Sequence, residues 1–326
     1  MNQKSYIVLY GNKKPEDNII IKNMFQNTME INLGWIDADF HNNMKIIENS
    51  IQERKVNQII FSGFEIGWDR LVNALKEKYK EVKIKVICNT NDSLLYYEYE
   101  RNNFFKLLEL SKEGQVDDIA FFRQGQYNLY KSLGYNCSYL RENYKMDKSK
   151  KNGQKSKNEN IELGIYPLNY TWDKNIFNQL CISKFVDRSH LNYNNLDPRM
   201  EDFLTTMKID STADKIENID EDNIIRAISK NDVIIATSFT EYVHPIFFIS
   251  MELGIPCLIG NNSDFFGEQD ELKKCVVSSA EDNPIINAKM VNDMQKNKDQ
   301  IVRLYTEWKE QYNKRAEDSI NEFLNK

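Results

Sequence analysis

The stretch NDVIIATSFTEYVHPIFFISMELGIPCLIGN, residues 231–261, decides the fold. A β-branched run at 232–238 gives way to a short polar loop carrying one acid, Glu241. An apolar helix is expected over 245–253, and Gly254, Ile255 and Pro256 lead into a second apolar run ending at 261. Continuous apolar runs joined by a helix are the mark of buried parallel strands in a β-α-β unit.

The same alternation extends both ways along the chain. In the first half, strands are expected at 6–11 (YIVLYG), 58–63 (QIIFSG), 83–89 (KIKVICN), 118–125 (DIAFFRQG) and 137–143 (CSYLREN), with helices between them, notably 68–80 and 96–112. In the second half the expected order is strand 161–167, helix 173–183, strand 184–190, helix 197–207, strand 208–210 and helix 221–230. After the opening stretch come a strand at 276–279 and a helical tail over 284–324, interrupted near Asn297. No internal repeat recurs at a period of roughly 20 to 50 residues. The expected fold class is therefore α/β, two Rossmann-like domains in tandem with a cleft between them.

The length of 326 residues fits two domains at roughly 100 to 200 residues each. Between them, residues 144–160 carry six lysines against two acids and show no apolar periodicity, the composition of a solvated linker. The expected boundaries are 1–146 for an N-terminal domain, 147–160 for the lysine-rich linker and 161–326 for a C-terminal domain with its closing helix.

Charge and motifs exclude several classes. The net charge is −6, from 43 Lys+Arg and 49 Asp+Glu, which gives no general electrostatic reason to bind nucleic acid. The balance is +2 over residues 1–150 and −8 over 151–326. Five cysteines lie far apart without a Cys-x-x-Cys pair, as expected of reduced thiols in a cytoplasmic protein rather than a zinc site. The apolar run at 6–10 is too short for a signal peptide or membrane span, and is read as the first strand. Dinucleotide, P-loop, serine-hydrolase and zincin signatures are all missing.

Ligands of open α/β sheets bind outside the C-terminal ends of the strands, so the loops at 11–14, 63–68, 89–92, 167–174, 238–244 and 261–266 are the places to look. Residues 231–261 resemble the donor-binding segment of retaining GT-B glycosyltransferases of the glycogen-synthase-like superfamily. There an Asp-Val strand ends in a Ser and a short loop, a Glu opens the helix, and the helix closes with Gly-x-Pro. Here Glu241 stands thirteen residues before Gly254, the spacing of that family.

The resemblance implies that Glu241 orients a donor sugar. A helix starting near Pro245 would aim its free amides at a diphosphate, so Tyr242, Val243 and His244 are expected at the donor, with Ser238 and Thr240 in the same loop. A helix cap is the plain alternative for Glu241. The segment 161–181 resembles the opening of the same domain, where a lysine neutralises the donor phosphates; Lys174 stands at that place, with an exposed surface lysine as the alternative. A cation there would stabilise the leaving group without metal, so no cofactor is expected. On the acceptor side, Gly11, Phe64, Trp68, Asn89 and Asp92 lie on strand-end loops, the aromatics as platforms for sugar faces.

Three departures from the family stand out. Its second Glu is replaced by Ile249, for which Glu252, three residues on, is the candidate substitute; the loop 167–173 lacks an Arg; and the loop after 83–89 lacks a histidine. Two functions follow. One is a nucleotide-sugar-dependent glycosyltransferase acting with retention on a glycan, protein or cell-envelope acceptor, cytoplasmic with at most peripheral contact at the inner face of the membrane. The other is a homologue without turnover that serves as binding partner of an active transferase subunit.

Overall fold

The computed structural model describes residues 5–11, 15–31, 37–146, 160–167, 171–194, 197–214, 216, 220–239, 245–261, 266–267 and 270–326. The chain divides into two compact units, Met1–Asn143 with Arg315–Lys326, and Tyr144–Lys314. The expected linker, 147–160, lies outside the described residues apart from Asn160.

In the first unit the elements run β1 (Tyr6–Tyr10), α1 (Pro15–Met24), β2 (Thr28–Glu30), α2 (Asp37–Arg54), β3 (Gln58–Ser62), α3 (Trp68–Lys78), β4 (Lys83–Cys88), α4 (Glu98–Lys112), β5 (Asp118–Phe121), α5 (Gln124–Ser132) and β6 (Cys137–Tyr139). All strand pairs are parallel, in the order β2-β1-β3-β4-β5-β6. The five strands read from the sequence are present. The sixth, β2, was not expected: it has three residues, sits at the sheet edge and buries none of them, so it leaves no apolar run. Alternate strand residues such as Ile7, Leu9, Ile59, Phe61, Ile84 and Val86 pack with Trp68, Leu71, Val72 and Leu75 of α3 into the core.

In the second unit come β7 (Ile161–Ile165), α6 (Ile176–Lys184), β8 (Ser189–Asn194), α7 (Pro198–Thr206), β9 (Ser211–Asp214), α8 (Glu221–Ile228), β10 (Val233–Ala236), α9 (Pro245–Glu252), β11 (Cys257–Ile259), α10 (Glu271–Val276), α11 (Pro284–Lys296) and α12 (Lys298–Asn325). The sheet is again parallel, in the order β11-β10-β7-β8-β9. Tyr144 belongs to this unit: its hydroxyl donates to Glu221 Oε1 at 2.7 Å and its ring stacks on Phe248.

Three expectations shift here. The strand placed at 184–190 lies at Ser189–Asn194, because α6 continues to Lys184 and Arg188 takes a left-handed turn (φ 52°) before the strand begins. The strand at 208–210 lies at Ser211–Asp214, after a similar turn at Lys208. Residues 276–279 make only an isolated bridge, Ile259 to Val277. The break near Asn297 is where α11 ends and α12 begins.

Helix α12 serves both units, Lys298–Lys314 in the second and the remainder in the first. Its last carbonyls have no partner within the helix. Strand side chains of the first unit supply donors: Gln58 Nε2 to Leu324 O at 2.9 Å, Lys83 Nζ to Lys326 O at 2.6 Å, and the buried Lys85 Nζ to Phe323 O. Lys85 is thereby accommodated in a strand interior that would otherwise reject a charge.

Candidate functional site

The strand order reverses direction between β7 and β10, so a crevice opens at their C-terminal ends, the place where open α/β sheets hold ligands. Two loops meet there. After β7 the chain forms a 3-10 turn, Trp172–Lys174, and Asn175 follows in the left-handed region (φ 55°) as the N-cap residue of α6. After β10 it runs through Thr237, Ser238 and Phe239.

Asn175 clamps the arrangement. Its Nδ2 donates to Thr237 O at 2.9 Å and to Glu281 O at 2.8 Å, while Phe239 N donates to Asp173 O at 2.7 Å. Asparagine is among the few side chains that tolerate this backbone conformation.

Lys174 and Ser238 thereby line one small cavity with Tyr166, Pro167, Gln179 and Ala236. Its volume is about 10 Å³, room for about one water. Lys174 is 7% exposed, which removes the surface-lysine alternative. Its carbonyl accepts from Gln179 Nε2 at 2.6 Å.

Tyr166 escaped the sequence reading. Its hydroxyl lies 2.8 Å from Asp214 Oδ2 and 3.1 Å from Ala227 O, and it accepts from Asn231 Nδ2 at 3.1 Å. Burial, then the Asp214 charge, push this phenol well above its ordinary pKa. The ring is folded back over Gly164, where a Cβ would come within 2.7 Å of it. At the rim, Trp172 and Phe239 expose their rings, 53% and 38%, with centroids 6.3 Å apart. These two aromatics were also missed, although Phe239 lies between Ser238 and Thr240 and Trp172 lies two residues before Lys174.

Other expected donor residues lie elsewhere. Thr240, Glu241, Tyr242, Val243 and His244 lie outside the described residues. Glu252 does not reach the cavity: it is buried, with Oε1 accepting from Tyr305 Oη at 3.0 Å and from Lys309 Nζ of α12. Ile249 is fully buried in α9, all of whose residues are buried.

In the first sheet the corresponding crevice falls between β1 and β3. Gly11 lies at the end of β1, where a Cβ would meet Glu65 Oε1 at 3.3 Å. Asn89, after β4, donates to Ser62 Oγ at 3.4 Å, and Gly63 turns with φ 84° beside it. Phe64 is partly buried nearby. Trp68 is not a platform: it is wholly buried against Phe61 and Phe64, so neither ring face is open to a ligand. Asp92 is exposed, but one oxygen accepts from Gln126 Nε2 at 3.2 Å and Tyr130 Oη at 3.1 Å, which fastens its loop to α5.

No family model matches the chain, and no curated protein does. Solved structures do. Anabaena Alr3699/HepE in complex with UDP matches with a TM-score of 0.65 at 8% identity, over 98% of each chain. The N-terminal domain of Candida albicans trehalose-6-phosphate phosphatase matches with a TM-score of 0.61 at 10% identity, over 98% of this chain and 88% of that one. A UDP-forming alpha,alpha-trehalose-phosphate synthase from Burkholderia xenovorans matches with a TM-score of 0.57 at 8% identity, over 88% and 78%. The fold is GT-B.

At these identities the likeness is one of fold. Lys174 and Ser238 converge at the crevice of the second sheet. Among the described residues no cluster of three or more His, Cys, Asp or Glu is placed to hold a metal, and no helix is long and apolar enough to cross a membrane.

Proposed function

We propose that the chain is a glycosyltransferase that takes a nucleotide-diphospho-sugar in its second unit and presents a glycan, glycoprotein or cell-envelope acceptor from its first. The observation that carries this reading is the burial of Lys174 beside Ser238 at the point where the second sheet reverses. A desolvated cation at that point suits a diphosphate and the charge that develops on it as the sugar departs. Glu241 would orient the sugar, with Thr240 and the amides of Tyr242, Val243 and His244 around the phosphates. Transfer with retention and without metal belongs to the same proposal, as does a cytoplasmic site of action with peripheral contact at the inner membrane face.

Titration calorimetry with UDP, ADP, GDP and their glucose conjugates tests the donor site. Binding of at least one, weakened about tenfold or more by Lys174→Ala, is expected, a loss of about 1.4 kcal/mol. Glu241→Ala should abolish most transfer with the melting temperature retained. Wild-type behaviour of both variants would sink these residue assignments, and retention of full activity in EDTA is the outcome that metal independence requires.

A second reading is favoured by one observation: Ile249 is in the core and Glu252 is held by Tyr305 and Lys309, so neither stands in for the second Glu of the resembled family. On that reading the chain binds a nucleotide sugar, or an active transferase subunit, without turnover. Donor binding with no product from any acceptor would distinguish it.

A further inference from the structure

A groove of about 690 Å³ runs along the open edge of β6 in the first unit, well within the size range of small-ligand sites. It lies at the far edge of the sheet, with β4 and β5 between it and the β1–β3 crevice. One wall comes from α5 and β6. There the rings of Tyr127 and Tyr139 lie 6.0 Å apart at 36°, the Arg141 guanidinium stands 4.9 Å from the Tyr139 centroid, and Lys131 Nζ donates to the Tyr127 hydroxyl at 2.6 Å.

The facing wall is the last part of α12. Arg315, Asp318 and Glu322 share one helix face at spacings of three and four residues, and all three are exposed. Neither these three nor Arg141 has an ion-pair partner among the described residues. Guanidiniums offer paired donors, carboxylates offer paired acceptors, and tyrosine rings offer flat apolar faces. Vicinal hydroxyls on a ring with apolar C–H faces match all three at once.

We propose that this groove is a second carbohydrate site, which holds an oligosaccharide segment away from the transfer crevice. A peptide adding to β6 as a further strand is the rival occupant. The edge is poorly suited to it, because Lys326 Nζ already occupies Cys137 O at 2.8 Å and Ser319 Oγ already accepts from Arg141 N at 3.0 Å. The inference rests on the proposed transferase function only for the origin of the oligosaccharide, its acceptor.

The test is binding to the full chain of maltohexaose, chitohexaose, a hyaluronan hexasaccharide and a galacturonate hexamer, measured by calorimetry. At least one should bind, and Arg315→Glu and Tyr139→Ala should each weaken it by about fivefold or more, roughly 1 kcal/mol, with UDP affinity unaltered. Arg315 is on the surface, so its variant is expected to fold as the wild type does. Absence of binding by all four glycans overturns the proposal, as does equal binding by wild type and both variants. Capture of an extended peptide that Arg315→Glu releases would give the groove to strand addition instead. Failure of UDP to bind would count against the donor site and leave the glycan result standing.

Discussion

The hydroxyl of Tyr305 donates to Glu252 Oε1 at 3.0 Å, joining α12 to α9 across fifty-three residues of chain. Lys309 reaches the same carboxylate, and around it Phe247, Phe248, Trp308 and Tyr312 pack ring against ring. Glu252 therefore works as an anchor for the closing helix inside the second unit. Glu252→Ala removes the acceptor from the buried Tyr305 hydroxyl and the partly exposed Lys309 ammonium, so a loss of about 2 kcal/mol in urea denaturation is expected. If stability held and donor affinity fell instead, Glu252 would have to be returned to the binding site.

Gly164→Ala is expected to be costly at a position that reads as an ordinary strand residue. The added carbon would come within 2.5 Å of Ile234 Cδ1, 2.7 Å of Tyr166 Cε2 and 2.8 Å of Asn231 Cγ. Overpacking of this kind costs about 1 to 3 kcal/mol, and it should dislodge Tyr166 from Asp214. Denaturant midpoints report the first effect; a second-derivative tyrosine absorbance change reports the other.

Asn175 has two duties that substitutions separate. Asn175→Gly keeps the left-handed backbone and loses the bonds to Thr237 O and Glu281 O; Asn175→Ala loses both. Alanine should therefore be the worse by about 1 kcal/mol. Equal stabilities of the two variants would show that the backbone conformation is not under strain.

Burial, and secondarily Asp118, push the Cys137 thiol from 9.0 up to about 11. The native thiol should therefore resist iodoacetamide at neutral pH, as peptide mass mapping can show. The sign for stability follows. With the folded value raised, the contribution is complete below pH 9.0 and is lost as pH rises through about 11. Tyr144, Tyr166 and Tyr305, all raised mainly by burial, act in the same direction above their ordinary value of 10.0. A protein equally stable at pH 8 and pH 11 would contradict this.

Strands with a continuous apolar run were legible in the sequence, among them β3 (IIF), β4 (VIC) and β10 (VIIA). Those built from polar residues were not. In β8, Asn192 is buried because its Nδ2 bonds to Glu162 Oε2 at 2.9 Å and Asn231 Oδ1 at 3.0 Å, and in β9, Asp214 is fixed by Tyr166 and Lys230. Such strands carry no hydrophobic run, because distant partners satisfy their polar atoms. At the candidate site, Lys174 and Ser238 were legible on strand-end loops, whereas Gln179 reaches the cavity through the 3-10 turn, whose Lys174 carbonyl it bonds, and Tyr166 through its hydroxyl bonds to Asp214 and Asn231.

The sequence by itself determined the alternation of strands and helices, the division into two parallel α/β units and the strand ends where chemistry would sit, since periodicity and Gly-x-Pro turns are local. The tertiary structure alone decided which polar and aromatic groups line the crevices and which are spent on the fold. Trp68 and Glu252 went to the interior and Lys174 to the crevice, because the fate of a side chain at a strand or helix end depends on partners that arrive from elsewhere in the chain.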